Sequence, residues 1–383
     1  MKILGIVAEY NPFHRGHERH LRMAREAVHP DFTFVVLSGC MTQRGEWSLL
    51  TPYRRARCAL MAGADAVFAL PVAWTIRDAD HYALGGVSLL AELGATHLAF
   101  GVETEEPRIL RQCAEILEYP GESFQRILRN RLDEGTGYPR AIAEAMDAEI
   151  PGLGNIIRNP NNILGICYLR AMLRIGTKMD PVMIPRTGGY WAERIEPEEP
   201  SASAIRKALF RGDYQGAMNA LVPESRRAVQ EAFLSGCIPR PERTDPILMA
   251  CLRSLTRGEV GALPDISEGL EDRILRAAKF SHGREELLES VSGKRYSRAR
   301  ISRVLACAML GITRSQLDQE KLPKTAVLLG LRKKPEMTSI WRERQNLITS
   351  SWKNETDLRA WRLWAISTGL PDTLPWTEQV VSV

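Results

Sequence analysis

The sequence predicts an α/β fold, a parallel sheet with helices on both faces, followed by a mainly helical C-terminal domain. Three observations predict it. Short apolar runs alternate with helical patterns in the N-terminal half. Several of these runs close on a turn or a proline. Beyond about residue 215, strand-like runs become rare, and helical periodicity with Arg and Lys takes over. Alternating βα units argue for a parallel sheet, and their crossovers are expected to be right-handed. The expected division is therefore residues 1–215 as the α/β catalytic domain and residues 216–383 as a helical, basic region.

The elements follow in order. Residues 3–8 form a buried strand that ends at the turn Tyr10-Asn11-Pro12-Phe13, and a helical pattern begins around Gly16. Residues 32–37 (FTFVVL) are a second strand. Thr51 caps a helix over 51–61 with Pro52 at its first position. Residues 66–70 (AVFAL) are a third strand closed by Pro71, 80–93 a helix, and 97–100 a fourth strand. Residues 107–130 and 138–146 read as helices separated by a Gly-containing loop. Asn161 and Asn162 open a helix that runs to about Leu173. A short strand at 182–184 precedes Arg186. After the acidic loop 196–200, Ser201 begins the helix SASAIRKALFRGDY. Pro239-Arg240-Pro241 marks a linker. Amphipathic helices fill 244–312, Val327 to Gly330 is a further strand, and the last stretch is rich in Trp and basic residues. Trp341, Trp352, Trp361 and Trp364 are read as packing residues.

Composition narrows the class. With 383 residues, 44% hydrophobic and 25% charged, the chain is ordinary globular protein with ample core. Seven scattered cysteines without a C-x-x-C pattern read as free thiols in a reducing compartment. No signal peptide or membrane-length apolar stretch stands out, so a cytoplasmic location and no membrane partner are expected. A net charge of +5 permits a nucleic-acid partner without demanding one. The oligomeric state is left open.

Chemistry concentrates at three places. His14-Arg15-Gly16-His17 follows the first strand at a helix start. There, unpaired N–H groups and the positive dipole end favour an anion. Imidazoles donate to phosphate oxygens, and the glycine lets backbone come close. Gly101-Val102-Glu103 ends the fourth strand. Ser201-Ala202-Ser203-Ala204-Ile205-Arg206 supplies hydroxyls, a second helix start and a guanidinium fork. His14, His17 and His20 also suggest a metal site. No Cys or carboxylate cluster completes it, and H-E-x-x-H is absent, so no protein-held metal is expected.

H-x-G-H after the first strand with a later S-x-S-x-I-R helix start resembles the nucleotidylyltransferase superfamily. More narrowly, GIVAEYNPFHRGHERH, SGCMTQRGEWSLLTPYRRARCAL, FGVE, PNNILGICYLRAM and SASAIRKAL, in that order, resemble the bacterial tRNA(Met) cytidine acetate ligases. The resemblance spans residues 1 to about 335 and is densest in the first 210. It implies a Rossmann-like nucleotidylyltransferase sheet and a reaction. ATP and acetate form acetyl-adenylate, and the acetyl group passes to N4 of the wobble cytidine of elongator tRNA(Met). By the same resemblance, His14, His17 and Arg206 are catalytic. The ATP-binding segment is Val7, Ala8, Glu9, Tyr10, Asn11, Pro12, Phe13, His14, Arg15, Gly16, His17, Glu18, Arg19 and His20. Gly101, Asn161 or Asn162 (Asn162 favoured), Arg186, Ser201 and Ser203 complete the ATP contacts. Residues 42–46 match a loop expected beside the site. Thr187 to Trp191 depart from the polar, histidine-bearing stretch the resemblance implies there. Mg²⁺ is expected with ATP, held mostly by substrate oxygens.

The RNA partner needs a basic surface. Lys294, Arg295, Arg298, Arg300 and Arg303, interleaved with Tyr296, are the strongest candidates, with Arg332 and Lys333 as a second patch. Arg54, Arg55 and Arg57 extend that track in this reading. Two other functions fit parts of the pattern: a nucleotidylyltransferase acting on a small metabolite, and a non-catalytic RNA-binding protein. The basic C-terminal half speaks against the first and the intact His14, Gly16, His17 and Arg206 against the second.

Overall fold

The computed structural model describes the chain except residues 105, 187–199, 268, 294 and 372–379, and the side chains at 338, 339 and 341. Its strands are β1 (Ile3–Ala8), β2 (Phe32–Ser38), β3 (Ala66–Leu70), β4 (His97–Val102), β5 (Asp180–Pro185), β6 (Ala326–Leu331), β7 (Ile348–Thr349) and β8 (Val381–Ser382). The chain packs into two compact units. One holds Met1–Val7, His14–Phe34 and Ala79–Ala220. The other holds Ala8–Phe13, Val35–Asp78 and Leu221–Val383.

In the first unit the strand order is β5-β4-β1-β2. β1 pairs with β4 and β4 with β5, both parallel, with Gly5 opposite Leu98 and Gly101 opposite Ile184. The expected parallel βα pattern holds here. The helix Arg15–Val28 buries Leu21, Ala24 and Val28 and packs on β4 and β5. The helices Ala79–Glu92 and Pro160–Ile175 pack on each other. Two sequence expectations need correction. The helix expected over 107–130 is two helices, Pro107–Glu118 and Glu122–Asp133. They break at Pro120, whose ring has no N–H to continue the ladder. The strand expected at 182–184 is longer, Asp180–Pro185, because β4 offers it a full edge.

In the second unit the order is β2-β3-β6-β7, with β8 also on β6. β6 runs antiparallel to β3, with a register shift between Val67 and Phe68. The sheet is thus mostly parallel, as the sequence predicts, with β6 as its antiparallel member. The strand read at 327–330 supplies the antiparallel partner. Helices dominate the rest of this unit, among them Pro241–Ser254, Leu270–Phe280, Arg298–Leu310 and Glu355–Thr368. Trp352, Trp361 and Trp364 are buried, as their reading as packing residues requires. Trp361 meets Trp352 and Trp364 edge-on at 5.8 and 6.2 Å, a geometry favourable to aromatic pairs. The side chain of Trp341 lies outside the described residues.

Candidate active site

The turn from β1 into the helix Arg15–Val28 is built by its own histidines. His14 is the N-cap, and its Nδ1 accepts from the Gly16 backbone N–H at 3.1 Å. His17 Nδ1 accepts from the His14 backbone N–H at 3.4 Å. The two rings stack with centroids 3.6 Å apart. Backbone donors at both Nδ1 atoms favour the neutral tautomer with the proton on Nε2. Gly16 leaves the His14 ring its place. A Cβ would lie 3.0 Å from His14 Cε1 and 3.1 Å from Nδ1.

The electrostatics keep these rings neutral. Burial, then the nearby guanidiniums of Arg186 and Arg206, push the His14 pKa down to about 3. His17 is held well below its ordinary value by burial, His14, Arg186 and His20. Burial and Arg186 lower His20 to about 4, against a hydrogen bond to the Phe100 backbone. His20 Nε2 is buried with no hydrogen-bond partner among the described residues. Three neutral imidazoles and two guanidiniums therefore converge after β1, β5 and the Ser201 cap, a set complementary to a polyanion.

Gly101 and Asn161 position Arg186. A Cβ on Gly101 would sit 2.9 Å from Arg186 Cδ, so the arginine stem lies across the bare glycine. Arg186 Nη1 donates to Asn161 Oδ1 at 3.3 Å, and Asn161 Nδ2 donates to Glu103 Oε1. The carboxylate of Glu103 carries no role in the sequence reading. Its place directly after the Gly101 strand end was the available signal. Asn162 is fully buried. It accepts from the Glu103 backbone N–H at 2.8 Å and donates to the Ile156 carbonyl. Of the two asparagines, Asn161 is thus the one joined to the arginine, whereas Asn162 ties the strand end to the helix Pro160–Ile175. Ser201 caps the helix Ala202–Arg211 by accepting from the Ala204 N–H at 3.1 Å, and Ser203 is exposed on its first turn. Thr187 to Trp191 lie outside the described residues.

The other part of the sequence-named segment, Ala8 to Phe13, belongs to the second unit. Asn11 and Phe13 are buried, and Tyr10 meets Phe13 edge-on at 4.7 Å. Glu9 Oε1 accepts from the Gln43 backbone N–H, and Asn11 Oδ1 from that of Leu49 at 2.7 Å. Arg55 is fully buried rather than on an RNA-facing track. Its guanidinium donates to the carbonyls of Glu9, Ser38, Gly39 and Leu50. One buried cation thus gathers the chain after β1 and after β2, a scaffold role a charge count does not reveal. Arg54 and Arg57 pair with Glu231 and Glu224. The loop at 42–46 is braced within the same unit, where Ser302 Oγ donates to the Arg44 carbonyl.

The basic stretch divides in the same way. Arg300 donates to the Asp265 carbonyl at 3.0 and 2.6 Å and lies over the Tyr296 ring. Arg303 reaches Asp265 Oδ2. Arg332 pairs with Asp65 and the Leu60 carbonyl. Arg295, Arg298 and Lys333 are exposed, with Arg298 beside Glu285. Lys294 lies outside the described residues. No group of three or more His, Cys, Asp or Glu able to hold a metal occurs among the described residues. No helix among them is long and apolar enough to cross a membrane.

A nucleotide-binding sheet whose first strand ends in a histidine-capped helix, faced by two arginines, defines a nucleotidyl transferase. The HIGH Nucleotidyl Transferase family pattern matches residues 1–362. Curated relatives narrow the family. A tRNA(Met) cytidine acetate ligase of Acetivibrio thermocellus is 34% identical over 347 residues, 87% of this chain and 84% of that protein. One of Syntrophomonas wolfei is 36% identical, covering 83% of this chain and 78% of the relative. The crystal structure of Thermotoga maritima TmcAL bound with alpha-thio ATP superposes with a TM-score of 0.89. It is 26% identical, with both chains covered completely. Its apo form gives a TM-score of 0.93 at the same identity and coverage. The chain belongs to the tRNA(Met) cytidine acetate ligase family of HIGH nucleotidyl transferases.

Proposed function

We propose that this protein is an ATP-dependent ligase that acetylates N4 of the wobble cytidine of elongator tRNA(Met) through acetyl-adenylate. The observation that carries the reading is the convergence of Arg186 and Arg206 on the neutral, Nδ1-anchored His14. Acetate is a poor acyl donor, and adenylation gives it AMP as a leaving group. An acetate oxygen attacks the α-phosphorus of ATP in line, the bond to the bridging oxygen breaks, and pyrophosphate departs. That step needs positioning and charge neutralisation more than a protein nucleophile. In this account Nε2–H of His14 and His17 donates to phosphate oxygens, and Arg186 and Arg206 neutralise the charge that builds on pyrophosphate. Asn161 holds Arg186, and Gly16 keeps the backbone close. The N4 amine of cytidine then attacks the acetyl carbonyl, the acyl–oxygen bond breaks, AMP leaves and the amine loses a proton.

Magnesium accompanying ATP would be held by substrate oxygens more than by this chain's residues and would offset charge. The chemistry of the donor set supports that reading, since the converging groups are imidazole and guanidinium rather than carboxylate. The exposed Arg295, Arg298 and Lys333 are proposed to hold tRNA phosphates. Cysteines without disulfides suit a reducing cytoplasm. Acetate-dependent exchange of labelled pyrophosphate into ATP tests the first half-reaction without tRNA. The wild-type protein is expected to exchange, and His17→Ala to lose exchange by about a hundredfold or more while still binding tRNA. Exchange that does not require acetate, or that survives His17→Ala, overturns the proposal.

A further inference from the structure

A cavity of about 170 Å³ lies within the second unit, at the end of β3 and along β6 and β7. It has room for about five waters at about 30 Å³ each, or for one planar ring system. Its lining includes the buried Val327 and Trp352, the buried Asp357, and the exposed Gln345 and Asn346. That mixture of apolar lining and a few placed polar groups is typical of a small-ligand site.

Asp357 points to what the ligand offers. It is 4% exposed, in the first turn of the helix Glu355–Thr368. Its Oδ1 accepts from the Val72 backbone N–H at 2.7 Å. Among the described residues no other hydrogen bond and no cation reaches this carboxyl, although it lines the cavity. Burial without a cation raises its pKa to about 7. A buried acceptor left with spare capacity is costly unless a donor fills it. The donor must be small, flat enough for the apolar walls, and armed with an N–H at one edge. Carboxylates read the exocyclic amine of cytosine, and carboxamides such as Gln345 and Asn346 read the amine edge of adenine. Exposed Lys353 stands at the rim, where a phosphate joined to such a base would lie.

We propose that this cavity is a subsite for one unstacked, amino-bearing base of the RNA substrate, with Asp357 accepting from the exocyclic amine. The RNA as source rests on the proposed ligase function; the base chemistry does not. Single-stranded recognition commonly works by taking splayed bases into such pockets.

The test is ligand-detected NMR on the full chain, with alpha-thio ATP added, using cytidine and uridine at millimolar concentration. Cytidine is expected to bind at least fivefold better than uridine. Asp357→Asn keeps the bond to Val72 and the shape but presents an amide donor. It is expected to reverse the preference towards uridine, whose O4 is an acceptor. A merely structural Asp357 would not move that ratio. Should Asp357→Asn fail to fold, Asn346→Trp at the exposed rim is expected to abolish nucleoside binding. Added tRNA is expected to displace cytidine. Equal binding of the two nucleosides, no binding, an unchanged ratio in Asp357→Asn, or no displacement by tRNA overturns the proposal. Acetate-dependent pyrophosphate exchange, measured on the same samples, reports separately on the ligase reading and is expected to be unchanged by Asp357→Asn.

Discussion

At the residue scale, His14 is both a helix cap and an electrostatic element. The Gly16 N–H at its Nδ1 fixes the tautomer, and burial, reinforced by the two arginines, disfavours a second proton. The pH dependence of stability follows. In the unfolded chain these imidazoles protonate near 6.5, while in the fold His14 resists to about 3 and His20 to about 4. Their depressed values mean stability is complete above pH 6.5 and is lost as pH falls towards those values. Asp357 has the opposite sign. Its carboxyl, raised from 3.8 to about 7, stabilises most at low pH and loses that as pH rises through 7. Three histidines outweigh one carboxyl between pH 4 and 6.5. Urea unfolding is therefore expected to show stability falling by at least about 1.4 kcal/mol, the equivalent of one pKa unit, as pH drops across that window. His14→Asn is expected to flatten the slope; a slope unchanged in that variant contradicts the assignment. The two histidines and their glycine were legible in the sequence because adjacency carries the motif. The burial of Arg55 was not, since its four carbonyl partners come from three separate stretches of chain.

At the element scale, parallel strands place Gly101 and Arg186 together. β4 and β5 run in register, with Gly101 opposite Ile184, so the residue leaving β5 crosses the glycine. Gly101→Ala would place a Cβ 2.9 Å from Arg186 Cδ. The obstacle is a flexible stem, so the arginine shifts rather than the strand. The KM for ATP in the exchange assay is expected to rise about tenfold, equivalent to about 1.4 kcal/mol, with little change in melting temperature. Equal KM values would remove Arg186 from the account. Sequence periodicity found β1, β2 and β4 because buried parallel strands are short apolar runs, and found only the centre of β5, an edge strand in which Ile184 alone is buried. It fused the helices on either side of Pro120. It read β6 as a strand but not as the antiparallel partner of β3, because pairing between segments far apart in sequence leaves no local signal.

At the scale of the whole molecule, His14, His17, Arg186 and Arg206 lie in one unit, and the basic candidates, like Ala8 to Phe13, lie in the other. The structure separates those basic residues by what they touch. Arg300 and Arg303 are half-buried against Asp265 and Arg332 against Asp65, whereas Arg295, beside the Tyr296 ring, Arg298, paired with Glu285, and Lys333 are exposed. A charge run in sequence shows number and spacing, not which members are already paired. Arg295→Ala with Arg298→Ala is therefore expected to weaken tRNA binding and lower the slope of log affinity against log salt by about 1 to 2, with pyrophosphate exchange intact. An unchanged slope would move the RNA surface elsewhere. The central claim is tested most directly by incubating the protein with ATP, labelled acetate and elongator tRNA(Met), then digesting the RNA for mass spectrometry. The account predicts labelled N4-acetylcytidine at the wobble position, with AMP and pyrophosphate released. Transfer of AMP rather than acetyl, or no label in the tRNA while ATP is consumed, would contradict it.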